Sequence, residues 1–300
     1  MQTLVRLLAG PHEVVGVVTQ PDRRRGRGRK ASPSPVAECA AAAEVPILRP
    51  ERVGDPESVE ALRALDADLG VVVAFGQFLP KTVRELPRLG YLVNGHASIL
   101  PRHRGAAPIA HAILAGESKT GVSVMRVERE MDAGPVCHVV ETPIGPDENA
   151  GELEDRLAAV AADAIATGLT EIEAGRAEWT EQNASAATIA PKLEPADGRL
   201  DFRLPADELA LRVRGLTPRP GTYFVLDEER IRVVRATSRS EASADPPGRV
   251  CVRDEELRIA TARGSLVPLV LQKPGGRPTP VDAFRRGRPI PDGTQLELPQ

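Results

Sequence analysis

Two stretches of the chain, Val14 to Gln20 (VVGVVTQ) and Leu69 to Phe75 (LGVVVAF), are unbroken runs of apolar, mostly β-branched residues. Runs of that kind predict strands covered on both faces in a parallel sheet. Between them, Val36 to Ala43 and Pro56 to Leu65 carry helical periodicity, and Val45 to Leu48 reads as a short strand. Thr120 to Val127 and Val136 to Ile144 continue the series as strands. Residues 149–174 form the longest predicted helix, with Leu153, Leu157, Val160, Ala161, Ala164 and Gly168 on one stripe and Gly175 as its stop. The alternation predicts a doubly wound α/β domain with a mostly parallel sheet over residues 1–175. From 176 to 204 the periodicity fades into polar, Ala- and Pro-containing sequence around Trp179, which reads as a linker. Residues 205–300 offer one helix, Asp207 to Arg214, and five short strands: Thr222 to Leu226, Arg230 to Ala236, Arg249 to Val252, Leu257 to Thr261 and Ser265 to Leu271. They predict a small C-terminal β-barrel, with a loosely ordered tail after Gly287.

Composition narrows the class. The 300 residues are 41% hydrophobic and 27% charged, ordinary for a globular chain. Neither a signal peptide nor a membrane span is expected, because Arg6 and then Pro11-His12-Glu13 interrupt the start. Cys39, Cys137 and Cys251 lie far apart and suggest neither a disulfide framework nor a metal site. A soluble, cytoplasmic, monomeric protein is the expectation. The net charge of −3 is unevenly placed, with −6 over residues 1–204 and +3 over residues 205–300.

Candidate chemistry concentrates in Asn94 to Ile109, NGHASILPRHRGAAPI. Positions i and i+2 of an extended chain share a face, so Asn94 and His96 point together from the end of a strand. An amide donor beside an imidazole supplies oxyanion stabilisation and proton transfer, the two requirements of acyl transfer to an amine. Asp132, in Glu-Met-Asp-Ala-Gly between two predicted strands, reaches the same crevice if the sheet is open, and a carboxylate there would orient the imidazole. No G-x-G-x-x-G or Walker loop is present, and Ser98 lacks a nucleophile-elbow context, so neither a nucleotide cofactor nor a covalent serine is expected. Arg23 to Lys30 (RRRGRGRK) packs six cations into eight residues with two glycines. It reads either as a solvated loop or as a phosphate-contacting loop for RNA.

Together these segments resemble the formyltetrahydrofolate-dependent formyltransferases, and within them the branch acting on methionyl initiator tRNA. The matching stretches are Val14 to Val36, Val71 to Pro80, Asn94 to Ile109, Gly116 to Gly134, Pro191 to Leu193 with Arg199 to Phe202, and Arg214 to Pro220. The resemblance implies a Rossmann-like catalytic domain, an OB-like barrel, and Asn94, His96 and Asp132 as the catalytic trio. It implies that Ser98, Ile99, Leu100 and Pro101, with Phe75 and Gly76, contact 10-formyltetrahydrofolate as co-substrate, with no metal. It also implies that Arg23, Arg24, Arg25, Arg27, Arg29, Lys30 and Lys192 meet the tRNA. An amino-sugar nucleotide as acceptor, or a tRNA-binding remnant without catalysis, stays open on sequence alone. Gly95 stands where the family usually has a bulky residue, and His103 and Arg219 where it often has tryptophan. Family members open with a strand and a glycine turn that have no counterpart before Leu4. The expectation is a truncated start, or Leu4 to Ala9 recruited as a substitute strand between VVGVVTQ and VVVAF.

Overall fold

The structure is a computed structural model that describes residues 1–25, 30–241, 245–253 and 256–299, with the backbone alone at 23–25 and 30–31. It divides into two compact units. One comprises residues 1–105, 120–142 and 155–189; the other comprises 106–119, 143–154 and 190–300.

The first unit opens with helix α1 (Gln2–Leu8), followed by β1 (Val17–Val18), the antiparallel pair β2 (Arg23–Arg25) and β3 (Lys30–Ser32), and α2 (Pro35–Ala42). Then come β4 (Ile47–Leu48), α3 (Pro56–Arg63), β5 (Gly70–Val72), α4 (Lys81–Arg84) and β6 (Leu92–His96). Start signals are local: the Ser34 hydroxyl accepts from the Ala37 N–H at 3.1 Å, and Pro35 and Pro56 stand at first-turn positions of their helices. The expected substitute strand does not form. Leu4 and Leu8, four apart, give α1 one apolar face, and Leu4 is buried with Val17 and Ala40.

The sheet is mixed, and its described strands fall into two pieces. β1 pairs in parallel with β4, while β5, β6, β7 (Lys119–Arg126) and β8 (Val136–Pro143) form a four-stranded sheet, parallel between β5 and β6 and antiparallel from β6 to β7. No described strand joins β1 to β5, and the break falls where the resemblance implied a strand. Both apolar runs consequently yield shorter strands than their composition predicts. β5 is only half-buried, and Val73 just beyond it is 42% exposed.

β6 is better supported, since β7 covers one edge and buries Thr120 to Met125. Its other support is α6 (Ala150–Glu173), which starts where Asn149 Oδ1 accepts from the Gly151 and Glu152 N–H groups and ends before Gly175 at φ +66. Ile165 of α6 is fully buried, and a Cβ on Gly95 would stand 2.6 Å from its Cδ1. Glycine at 95 is thus complementary to Ile165. The α6-facing side of β6 is closed, and Asn94 and His96 take the opposite side.

The second unit contains α5 (Pro108–Leu114), α7 (Ala206–Gly215), strands β9 (Thr222–Leu226), β10 (Glu229–Arg239), β11 (Val250–Arg253), β12 (Glu256–Ala260), β13 (Ser265–Gln272) and β14 (Thr279–Pro280), and α8 (Val281–Gly287). The strands make an antiparallel sheet in the order β11-β12-β13-β10-β9, with β14 on β13 and register shifts in β10 between Val233 and Ala236, giving the OB-like half-barrel. Phe202, Leu209, Phe224, Ile231, Leu257 and Leu266 fill its core. The tail beyond Gly287 is ordered rather than loose, because Ile290 and Leu296 are buried and the Leu296 N–H donates to the Gly248 carbonyl at 3.0 Å. Residues 176–189 belong to the first unit and 190–204 to the second.

A valine at 95 overpacks the β6–α6 contact. Gly95→Val is expected to lose about 1–3 kcal/mol of stability, read as a lower urea midpoint; an unchanged midpoint would contradict the packing argument.

Candidate functional site

His96 ends β6, its ring 6% exposed. Its Nε2 lies 2.8 Å from the His103 carbonyl oxygen and its Nδ1 3.6 Å from Asp132 Oδ2. A carbonyl can only accept, so Nε2 carries the proton in that bond. Nδ1 then faces the carboxylate at just more than hydrogen-bonding distance. Both neighbours of the ring are acceptors, so a proton arriving at Nδ1 finds one waiting.

Each neighbour is fixed by irregular backbone. His103 and Asp132 both adopt left-handed conformations, φ +57 and +51, which place the His103 carbonyl and the Asp132 carboxylate on either side of the ring. Asp132 Oδ2 also accepts from the Gly105 N–H at 2.8 Å, tying the 130–134 turn to the 102–105 loop. The turn closes because Gly134 lies against the Arg126 carbonyl, which any Cβ would strike, and because the Arg126 N–H donates to the Pro135 carbonyl at 2.9 Å. Arg126 in turn packs into the corner formed by the rings of Tyr91 and Trp179, which meet edge to face, its guanidinium carbon 4.2 Å from each centroid. That contact gives the chain's one tryptophan its place.

Asn94 sits in register with Met125 of β7, half-buried; its side chain has no hydrogen-bond partner among the described residues. The amide N–H is available beside His96. The structure therefore brings together Asn94, His96 and Asp132, which the sequence placed 38 residues apart from first to last.

The other expected residues divide. Ser98 is fully buried, its hydroxyl donating to the Arg102 carbonyl at 2.6 Å and its own carbonyl accepting from the Ser123 hydroxyl at 2.8 Å, so it builds the turn after β6. Leu100 is buried, while Ile99 and Pro101 are half-buried. Phe75 packs partly against Val53, Val83 and Leu92, and Gly76 is exposed at φ +77 in the loop after β5. Arg23, Arg24, Arg25 and Lys30 lie on the backbone of the β2–β3 pair, and Arg27 and Arg29 lie outside the described residues. Lys192, in the second unit, pairs with Glu194 at 2.9 Å and is 75% exposed.

Sequence reasoning missed Arg104 and Gln182. Arg104 is buried, its Nε and Nη2 donating to Gln182 Oε1 at 2.9 and 2.8 Å. Arginine is so frequent here that no single one stands out, and Gln182 lies in the aperiodic stretch after Trp179. Burial, reinforced by Glu171, pushes the Cys137 thiol up to about 11, so it offers no thiolate nucleophile near neutral pH. No group of metal-ligating side chains exists among the described residues.

Two family models match the chain: formyl transferase over residues 3–169, and formyl transferase, C-terminal domain, over residues 192–289. A methionyl-tRNA formyltransferase of Phenylobacterium zucineum is 42% identical over 298 residues, covering 99% of this chain and 96% of that protein. One of Xanthomonas axonopodis pv. citri is 44% identical over 290 residues, covering 96% and 94%. Among solved structures, an N-formyltransferase of Helicobacter canadensis, in complex with folinic acid and dTDP-3-aminofucose, superposes with TM-score 0.66 at 15% identity over 91% of this chain and 94% of that one. HypX of Aquifex aeolicus with tetrahydrofolic acid gives 0.58 at 19% identity, over 86% and 47%. At such identities the superpositions speak to fold.

Gly134→Ala is expected to push the Asp132 turn away from the Gly105 N–H. A hydrogen bond to a charged group is worth roughly 1.5–3 kcal/mol, so exchange at that amide should quicken about ten-fold or more, read by NMR. Wild-type protection at Gly105 would contradict the role given to Gly134.

Proposed function

The chain belongs to the formyl transferase family, and from that premise we propose that it moves the formyl group of 10-formyltetrahydrofolate to the α-amino group of methionyl initiator tRNA, giving the formylated initiator used in translation. The observation that carries the chemistry is the His96 ring set between two acceptors with the Asn94 amide beside it.

In this reading the amine nitrogen attacks the formyl carbon, and Asn94 donates to the oxygen as it becomes an oxyanion. The nitrogen sheds its proton to Nδ1 of His96, since Nε2 is already committed to the His103 carbonyl. The new charge on the ring faces Asp132, whose carboxylate is held by the Gly105 N–H. Collapse of the tetrahedral centre breaks its bond to the folate nitrogen, and the imidazolium returns the proton to that leaving nitrogen. Side chains and backbone suffice, with no metal in the scheme. Half-buried Ile99, Pro101 and Phe75 and exposed Gly76 are the folate contacts in this reading, while buried Ser98 and Leu100 shape the turn after β6.

The acceptor reading draws on the relatives' names and on charge. Arg23, Arg24, Arg25 and Lys30 fall on one antiparallel pair, Arg27 and Arg29 stand between them in sequence, and Lys192 adds an exposed amine in the second unit. Aromatic residues are only 3% of the chain, so contact is with the RNA backbone rather than by base stacking. Initiator tRNA is a cytoplasmic acceptor, and no helix among the described residues is long and apolar enough to cross a membrane.

The direct test is transfer of labelled formyl from 10-formyltetrahydrofolate to methionyl initiator tRNA by the purified chain; tRNA binding without transfer would mark a non-catalytic remnant. Asn94→Ala is expected to cost roughly 100- to 1,000-fold in kcat, and a loss of only a few-fold would remove Asn94 from the oxyanion role. Each phosphate contact contributes about 0.7–0.9 to the slope of log affinity against log salt. Replacing Arg27 and Arg29 with alanine should flatten that slope by about 1.4–1.8 if both meet phosphates. An unchanged slope would dismiss them as contacts.

A further inference from the structure

We propose that Gln182 is a positioning residue for formyl transfer: its side-chain amide clamps the Asp132 turn to the 103–105 loop and so sets the geometry around His96 without touching a reacting atom. Gln182 Nε2 donates to the Asp132 carbonyl at 2.8 Å and to the Gly134 carbonyl at 2.7 Å. Its Oε1 accepts from Arg104 Nε at 2.9 Å and Nη2 at 2.8 Å. Both donor hydrogens and both lone pairs of the amide are thereby used. Two carbonyls on one side and a guanidinium on the other leave only one orientation of the amide.

The two arms reach the two supports of the imidazole. One holds the backbone of Asp132, whose carboxylate lies 3.6 Å from His96 Nδ1. The other holds Arg104, which stands between His103, whose carbonyl takes His96 Nε2, and Gly105, whose N–H holds Asp132 Oδ2. The Arg104 side chain is 6% exposed and reaches Glu130 Oε1 at 3.5 Å; Glu130 itself is 79% exposed, so the closer Gln182 oxygen is the firmer anchor. The backbone of the same segment follows both partners. Thr180 exchanges 2.9 Å hydrogen bonds with Val136 beyond the turn, and the Thr188 hydroxyl and carbonyl accept from the His103 and Arg104 N–H groups at 2.8 and 2.9 Å. A stretch without periodicity thus runs along both halves of the site, with Gln182 between its two attachments.

This inference rests on reading His96 and Asp132 as the working pair, and its test separates the two. Formyl transfer is measured for Gln182→Ala, for Asp132→Ala and for the double variant. An error of about 1 Å in placement costs up to about 100-fold in rate, so Gln182→Ala is expected to lower kcat about 10- to 100-fold with both KM values within about two-fold of wild type. The arm on the Asp132 turn adds nothing once that carboxylate is gone, leaving only the arm on Arg104 beside the His103 carbonyl, so the same substitution should cost clearly less in the Asp132→Ala background than in wild type. If the alanine variant does not fold, Gln182→Asn, one methylene shorter with the same amide, takes its place in the cycle. A wild-type kcat, a loss confined to KM, or an equal loss in both backgrounds overturns the clamp. An Asp132→Ala variant at the wild-type rate overturns the reading of the pair and the clamp with it; an impaired Asp132→Ala beside an unimpaired Gln182 variant overturns the clamp alone.

Discussion

The imidazole of His96 is held between the His103 carbonyl and the Asp132 carboxylate, and irregular backbone at both of those residues keeps the two oxygens where they are. Left-handed backbone at a non-glycine residue is uncommon, and here it occurs at both residues that flank the ring. The strain is borne by surroundings that over-determine it: the Gly134 approach to Arg126, the Tyr91 and Trp179 rings packed on Arg126, the Gly105 hydrogen bond and the Gln182 amide. A carboxylate placed by that many contacts needs little rearrangement when charge appears on the ring, which is what electrostatic preorganisation means in structural terms.

The site also depends on which part of the sheet carries it. The described strands break between β1 and β5, and the strands at that break are short and half-covered. β6 stands on the other side of β5, with β7 hydrogen-bonded to it across four register positions and Ile165 packed onto Gly95 beneath. Asn94 and His96 therefore take their positions from the better-buried half of the unit. Phe75 and Gly76, just after β5, lie nearer the break and are among the proposed folate contacts, whereas the proposed proton-transferring pair stands on the better-supported side of the sheet.

Much of this was legible in the order of residues. Alternating strand and helix patterns located most elements of the first unit, and β9, Thr222–Leu226, has the bounds expected of it. The i, i+2 spacing of Asn94 and His96 identified the strand end that carries them, because side-chain direction in a strand is set by parity alone. What was hidden depended on close tertiary contact. The short α1 declares itself only through Leu4 and Leu8 meeting Val17 and Ala40, and the tail after Gly287 only through Ile290 and Leu296 meeting the barrel core. Polar, aperiodic sequence looked like a linker because periodicity detects buried apolar faces, whereas residues 176–189 are held by hydrogen bonds and by Trp179.

Gly95 shows how a local penalty can be a tertiary requirement. In a strand, glycine forgoes side-chain packing and costs roughly 0.5–1 kcal/mol of backbone entropy, so sequence alone marks position 95 as a defect between two candidate catalytic residues. In the fold its missing Cβ is the space Ile165 fills, and Ile165 is fully buried. That contact brings α6 against the back of β6 and leaves only the front for side chains. Because successive residues of a strand alternate faces, closing the back at Gly95 is the same act as presenting Asn94 and His96 together at the front. The helix that stabilises the unit and the strand that carries the proposed catalytic pair are thus adjusted to each other at a residue that has no side chain of its own.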